Sequence, residues 1–286
     1  MPNVHMRRIR DVSTFRRLAL AAWRAPRDPS FHGSLEVDAT AALAHLEALR
    51  ERTGVHATFT HLVGRALAIV LGECPEIHAT VRGGRLYRRE DVDIFFQVAL
   101  GGEQAGRRDL SGLVIRHADG KSIVDIAREF GGRLDQTRCD RDAEVAAVRR
   151  RLARIPPLLL RPLQAALDVL QYTFNARIPG LPRDPFGSAA VTNIGMFGAR
   201  WGYAPLFPPA HWPIIVLVGA VEQRPWVVHE ADGPRVAVRP ILPLHATFDH
   251  RVLDGVQAAH LAARLEALLA RPELLELSAP ADETPR

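Results

Sequence analysis

Apolar positions along the chain follow two periods. Phe31–Asp38 alternates and predicts a strand. Ala39–Thr53 sets Ala42, Leu43, Leu46 and Leu49 at helical spacing, and Thr58–Cys74 does so more strongly with Leu62, Val63, Ala66, Leu67 and Val70. Pro75 stops that helix, and Gly83-Gly84 marks a hairpin-like turn. Strands are predicted over Val92–Leu100 and Leu110–Arg116, followed by a helix over Ile123–Leu134. Trp212–Val221 reads as a buried strand, Glu222–Pro225 and Asp232–Gly233 as turns. Arg235–Phe248 reads as a strand that feeds the helix Val256–Ala270.

Residues 137–187 break this rhythm. A basic helix-like stretch, Asp142–Arg154, leads into the leucine-dense run 156–174. Arg161, Pro162, Gln164 and Asp168 interrupt that run too often for a membrane span. It is expected to cover the core of its own domain. An oligomer contact, a pocket for a greasy acyl group and a membrane-surface contact are the alternatives.

The hydrophobic fraction of 47% supports a sizeable core. Two cysteines, Cys74 and Cys139, form no framework and point to a reducing, cytoplasmic setting. Cys74 is read as a buried filler. Met1–Arg10 is polar and basic with no apolar stretch behind it, so no signal peptide is expected. A pI near 10.0 raises the question of a nucleic-acid binder. The net charge is only +5, Asp and Glu are interspersed, and Lys121 is the only lysine, so that class is set aside. A basic site also suits an anionic ligand such as coenzyme A.

The candidate chemistry lies in His245-Ala-Thr-Phe-Asp249-His250-Arg251-Val-Leu-Asp254-Gly255. A strand delivers His250 at its tip and turns sharply into a helix, with Gly255 easing the turn. Imidazole takes and returns a proton near neutral pH, so His250 is a candidate general base. Asp254 can accept hydrogen bonds or pair with an arginine. The alternative is a polar turn with a satisfied histidine. A second stretch, Phe186-Gly-Ser-Ala-Ala-Val191-Thr192-Asn193-Ile194-Gly195-Met-Phe-Gly198, reads as a strand ending in a glycine-rich loop.

Together these stretches resemble the dihydrolipoyl acyltransferases, the catalytic subunits of 2-oxoacid dehydrogenase complexes. That family carries D-H-R-x-x-D-G at the same junction and F-T-[IL]-S-N-[IL]-G at the second stretch. Thr192 occupies the family's Ser position, and Asn193 and Gly195 match as they stand. Ile77, Ala79, Val92, Asp93, Ile94, Val98 and Ala99 also match in place, and the Arg-x-Ile-Arg opening appears within residues 7–24. The family's Gly-Leu-x-x-Pro-Val-Ile pattern is half kept as Asp109–Ile115, without its proline. The resemblance covers roughly residues 7–134 and 186–272.

The resemblance implies an α/β fold like chloramphenicol acetyltransferase, a mixed sheet flanked by helices. It implies one catalytic domain over residues 1–286 with a helical insertion at about 137–187. The implied activity is acyl transfer between a coenzyme A thioester and a thiol or other nucleophile. His250 would act as base, and Thr192 would donate its hydroxyl to the oxyanion. Asp254 would be structural, paired with Arg8, Arg10, Arg16 or Arg17, while Arg251 could be a plain surface charge. No lipoyl hairpin surrounds Lys121 and nothing upstream resembles a lipoyl domain. A lipoyl group or other carrier is therefore expected only on a separate protein. No metal site is expected. The family's sites lie between subunits of a trimer, so a homotrimer or higher assembly is expected. The rival reading is a non-catalytic assembly module that kept the fold.

Overall fold

The computed structural model describes residues 28–100, 109–138, 156–179 and 183–276. A seven-stranded mixed sheet runs in the order β1-β9-β7-β6-β4-β5, with β8 paired to β9. The strands are β1 (Ser30–Asp38), β4 (Ile94–Leu100), β5 (Asp109–Ile115), β6 (Ala189–Asn193), β7 (Ile214–Val218), β8 (Glu222–Glu230) and β9 (Gly233–Asp249). A separate hairpin joins β2 (Ala79–Arg82) to β3 (Arg85–Arg88). Helices α1 (Thr40–Thr53), α2 (Phe59–Glu73), α3 (Ile123–Arg138) and α5 (Gly255–Ala270) accompany the sheet, and α4 (Pro157–Asp168) belongs to the leucine-dense run.

β9 is the spine. Its second half lies between β1 and β7, antiparallel to both, while its first half pairs with β8. Glu222–Pro225, expected as a turn, is instead the start of strand β8. Pro225 is tolerated because β8 pairs on one side only among the described residues, and a missing N–H can face the open edge.

The periodic face read on α2 is the centre of the core: Leu62, Val63, Ala66, Leu67 and Val70 are all fully buried. Arg65 is buried on the same helix. Its guanidinium donates to the carbonyls of Leu275 (3.0 Å) and Ala118 (3.1 Å) and also to that of Asp119. One charged side chain thereby ties α2, the turn before α3 and the C-terminal end of the described chain, with its donors directed at carbonyls.

Two further titratable groups are packed inside. His61 accepts the Thr58 backbone N–H at 3.2 Å and lies against the Phe130 ring. Burial pushes its pKa down to about 4, with the charges of His56 and Arg50 adding to the effect. Burial likewise pushes His78 down to about 4, helped by Arg89 and Arg88. Both rings are therefore neutral in the fold at neutral pH, while the unfolded chain titrates near 6.5. Below that value the unfolded state binds more protons. The stability these groups contribute is complete above pH 6.5 and is lost as pH falls towards 4, by up to about 3 kcal/mol for each histidine. Urea midpoints should fall steeply across this window, and less steeply in His78→Gln. A midpoint that stays flat from neutral pH down to about 4 would contradict the buried, neutral assignment.

Cys74 is half-buried rather than buried, and burial, then Glu76 and Glu73, raise its thiol pKa. Its thiol is therefore held protonated at neutral pH. Cys139 and the basic stretch Asp142–Arg154 lie outside the described residues. The leucine-dense run forms α4 and a π-helical turn, Val169–Thr173, and it exposes most of its length to solvent. Among the described residues it does not cover the core as expected.

Candidate active site

The last residues of β9 build a rigid turn around His250. The buried Asp249 carboxylate accepts from the Arg251 backbone N–H (2.9 Å), from its Nε (2.9 Å) and from its Nη2 (2.6 Å). The backbone N–H groups of Val252 and Leu253 donate to the Asp249 carbonyl. Arg251 is thus a clasp that closes the turn with its charge against Asp249, and not a plain surface charge. The Asp249 carboxylate holds its guanidinium pKa above the usual value.

His250 stands at the apex. Its backbone N–H donates to the Pro29 carbonyl at 3.0 Å, and its ring packs 4.9 Å from that of Phe31. The residue is otherwise exposed to solvent. Such an imidazole is held in place yet reachable from solvent.

Asp254 begins α5. Its carboxylate accepts from the N–H groups of Val256 (2.8 Å) and Gln257 (3.1 Å), and the Gln257 side chain accepts from the Asp254 N–H. This reciprocal cap satisfies donors that the first turn of a helix leaves unpaired. Arg8, Arg10, Arg16 and Arg17, expected as its partners, lie outside the described residues. Asp254→Ala is expected to cost about 1–2 kcal/mol through the lost cap, and Asp254→Ser to keep most of it. Thermal melts separate the cases: an Ala variant that melts like wild type but is inactive would give Asp254 a part in the chemistry.

Thr192 is the penultimate residue of β6, largely buried at 8% exposure. The Asn193 side chain fixes the following turn by donating to Thr60 Oγ1 (2.8 Å) and accepting the Met196 N–H (3.2 Å). Gly195 is required there, because a Cβ would collide with the Gly219 carbonyl.

Strand register fixes how the two candidate groups relate. Thr192 stands opposite Leu217, and Leu217 opposite His245, whereas His250 lies five residues further on, just past the end of β9. With about 3.3 Å per residue and about 4.8 Å between strands, the two positions are roughly 19 Å apart within one chain. Their faces also differ. His250 packs on Phe31, which joins the helix-covered core, while Thr192 alternates with Val191 and so shares the face of Ala190. Within a single chain the pair does not meet.

A polar row missed in the sequence lies beside Thr192. Ser34, His245, Leu217 and Thr192 are aligned across four strands. His245 Nε2 lies 2.9 Å from the Arg200 carbonyl, which can only accept, so that nitrogen carries the hydrogen. In the neutral ring Nδ1 then accepts from Ser34 Oγ at 2.8 Å, and Ser34 lies 2.7 Å from the Tyr203 hydroxyl. The sequence signal was slight: Ser34 is one of several polar positions in the alternating strand β1, and His245 is a single polar residue in the apolar run 241–246.

The family model for the 2-oxoacid dehydrogenases acyltransferase (catalytic domain) matches residues 3–141 and 185–277. The chain belongs to this acyltransferase family. Its unmatched stretch, 142–184, falls within the helical insertion expected at about 137–187. The acetyltransferase component of the acetoin cleaving system of Bacillus subtilis is 27% identical over 228 residues, covering 79% of this chain and 45% of that protein. The lipoamide acyltransferase component of the branched-chain alpha-keto acid dehydrogenase complex of the same organism is 25% identical over 240 residues, covering 82% and 45%. The chain thus spans less than half the length of these relatives.

Among solved structures, a probable dihydrolipoamide acetyltransferase of Listeria monocytogenes superposes with a TM-score of 0.62 at 19% identity, covering 97% of this chain and 98% of that one. The Azotobacter vinelandii dihydrolipoamide acetyltransferase, studied for the catalytic role of a serine, a histidine and an asparagine, gives 0.62 at 21% identity, covering 97% and 100%. The fold is that of the acyltransferase cores: a mixed sheet with flanking helices. No helix among the described residues is long and apolar enough to cross a membrane.

Proposed function

We propose that the chain moves an acyl group between a coenzyme A thioester and a thiol or other nucleophilic acceptor, in a site shared by two subunits of a homotrimer. Coenzyme A is a substrate here, and a dihydrolipoyl group is a candidate acceptor. His250 takes the proton of the attacking thiol. The thiolate adds to the thioester carbonyl, and the oxygen that becomes negative receives a hydrogen bond from the Thr192 hydroxyl. The tetrahedral carbon then expels the first thiolate, which recovers a proton from the His250 imidazolium.

One observation carries the reading. By the resemblance, His250 and Thr192 fall at the family's two motif positions, yet the strand register sets them roughly 19 Å apart on different faces of one chain's sheet. A neighbouring copy brings them together if the oligomer closes as a ring. The hairpin of β8 and β9 supports such a contact. It extends past the sheet with Val227, Val236 and Val238 exposed and one edge of β8 unpaired among the described residues.

The acetoin-system and branched-chain relatives carry lipoyl-linked acyltransferase names, which supports dihydrolipoamide as the first acceptor to assay. Release of free coenzyme A from acetyl- and branched acyl-coenzyme A, with and without dihydrolipoamide, tests the reaction. Acceptor-dependent turnover is expected. No turnover with any acyl-coenzyme A and thiol would return the chain to the role of an assembly module.

A further inference from the structure

The stretch that the family model leaves unmatched contains a helix whose apolar side is turned away from the protein. Leu159, Leu163, Ala166 and Leu170 recur at spacings of four, three and four, so they form one stripe along α4 and the turn after it. The three leucines are 54%, 37% and 44% exposed, and Phe174 just beyond is 69% exposed. The anchors sit on the opposite side. Asp168 pairs with His211 Nε2 at 2.5 Å, and the Tyr172 ring lies 4.1 Å from that of His211. Arg82 Nε donates to the Thr173 carbonyl at 3.0 Å. Rolling the leucines inward would break all three contacts. A surface helix ordinarily faces the other way, apolar side to the core.

The charge around the stripe is basic. Thr80, Arg82, Arg85 and Tyr87 share the face of the β2–β3 hairpin that meets His211, where the Thr80 hydroxyl donates to the His211 carbonyl at 3.4 Å. Arg85 is exposed on this face, and Arg177 is exposed three residues after Phe174. Among the described residues, Asp168 is engaged inward with His211 and Asp184 with Arg89. Among the described residues, the exposed side of this segment carries Leu159, Leu163, Leu170, Phe174 and Arg177, with Gln164 and Asn175 beside them.

We propose that this face docks on an anionic lipid bilayer, with the leucines and Phe174 in the boundary between headgroups and acyl chains and Arg85 and Arg177 at lipid phosphates. A second copy of the chain fits less well. Four half-exposed side chains offer a few hundred Å², against the roughly 800 Å² per partner of a stable protein interface. A bilayer sets no such threshold, and its phosphates match the arginines. The proposal stands apart from the acyl-transfer reading, because docking needs no turnover.

Sedimentation of the full chain with vesicles tests it. Vesicles of phosphatidylcholine with about a third phosphatidylglycerol should pellet the protein, and pure phosphatidylcholine should pellet at least about ten-fold less. Leu163→Glu/Leu170→Glu should lose binding by at least about ten-fold while keeping the wild-type melt and oligomeric mass. Arg85→Glu should lose it several-fold. Three results would overturn the proposal. Wild type stays in the supernatant with anionic vesicles, or the double variant pellets as well as wild type does. In the third, the double variant falls to a smaller oligomer, which would make a second copy the occupant of this face.

Discussion

His250→Ala is expected to slow acyl transfer by about 10²–10⁴-fold while leaving the melting temperature within a degree or two of wild type. The size follows from the work asked of the ring. A thiol at neutral pH is mostly protonated, and without a base its attack depends on the small thiolate fraction. The absence of a folding effect follows from the surroundings. The ring is exposed and touches Phe31, while the turn is held by backbone bonds and by the Asp249–Arg251 clasp, which the substitution leaves intact. Transfer at elevated pH should partly recover, because free thiolate then replaces the missing base. A folded variant with activity within a few-fold of wild type would remove His250 from the reaction.

Thr192→Ala is expected to lower kcat by about 10²–10³-fold with a smaller change in the KM for acyl-coenzyme A. The hydroxyl meets the substrate oxygen most strongly once charge has developed on it, so its loss raises the barrier more than it weakens binding. Thr192→Ser keeps the donor and should keep most of the rate. Replacing Thr by Ala at a largely buried strand end also removes a methyl group, so a small drop in melting temperature is expected in addition. Equal rates for the Ser and Ala variants would show that the hydroxyl donates nothing to the reaction.

Much of this was legible in the sequence because it is local. The α2 face follows from helical spacing, and β9 followed by α5 from a strand running into Asp254-Gly255. The motif positions of His250 and Thr192 were visible as well. What was hidden depends on contacts distant in sequence. The Ser34–His245 bond joins residues 211 positions apart, and Ser34–Tyr203 spans 169. No window of the chain contains either. Strand β8 was obscured by Pro225, whose missing N–H matters only once it is known which edge is unpaired. Arg251 looked like a surface charge because the burial of Asp249 is set by the sheet. The leucine stripe of α4 was visible, but its direction was not. That direction is fixed by Asp168, Tyr172 and Thr173 holding on to His211 and Arg82.

The central claim is that one active site is made from two chains, and the two inactive variants test it together. His250→Ala retains Thr192, and Thr192→Ala retains His250. Each variant alone yields only damaged sites. Unfolded, mixed in equal amounts and refolded, they should form rings in which a site is whole when each variant supplies its intact residue. Each of those two choices has even odds, so about a quarter of the sites should recover and the mixture should show about a quarter of wild-type activity. If the mixture stays as inactive as its components, although differently tagged chains are shown to co-assemble, both residues serve a site within one chain and the shared-site account is wrong.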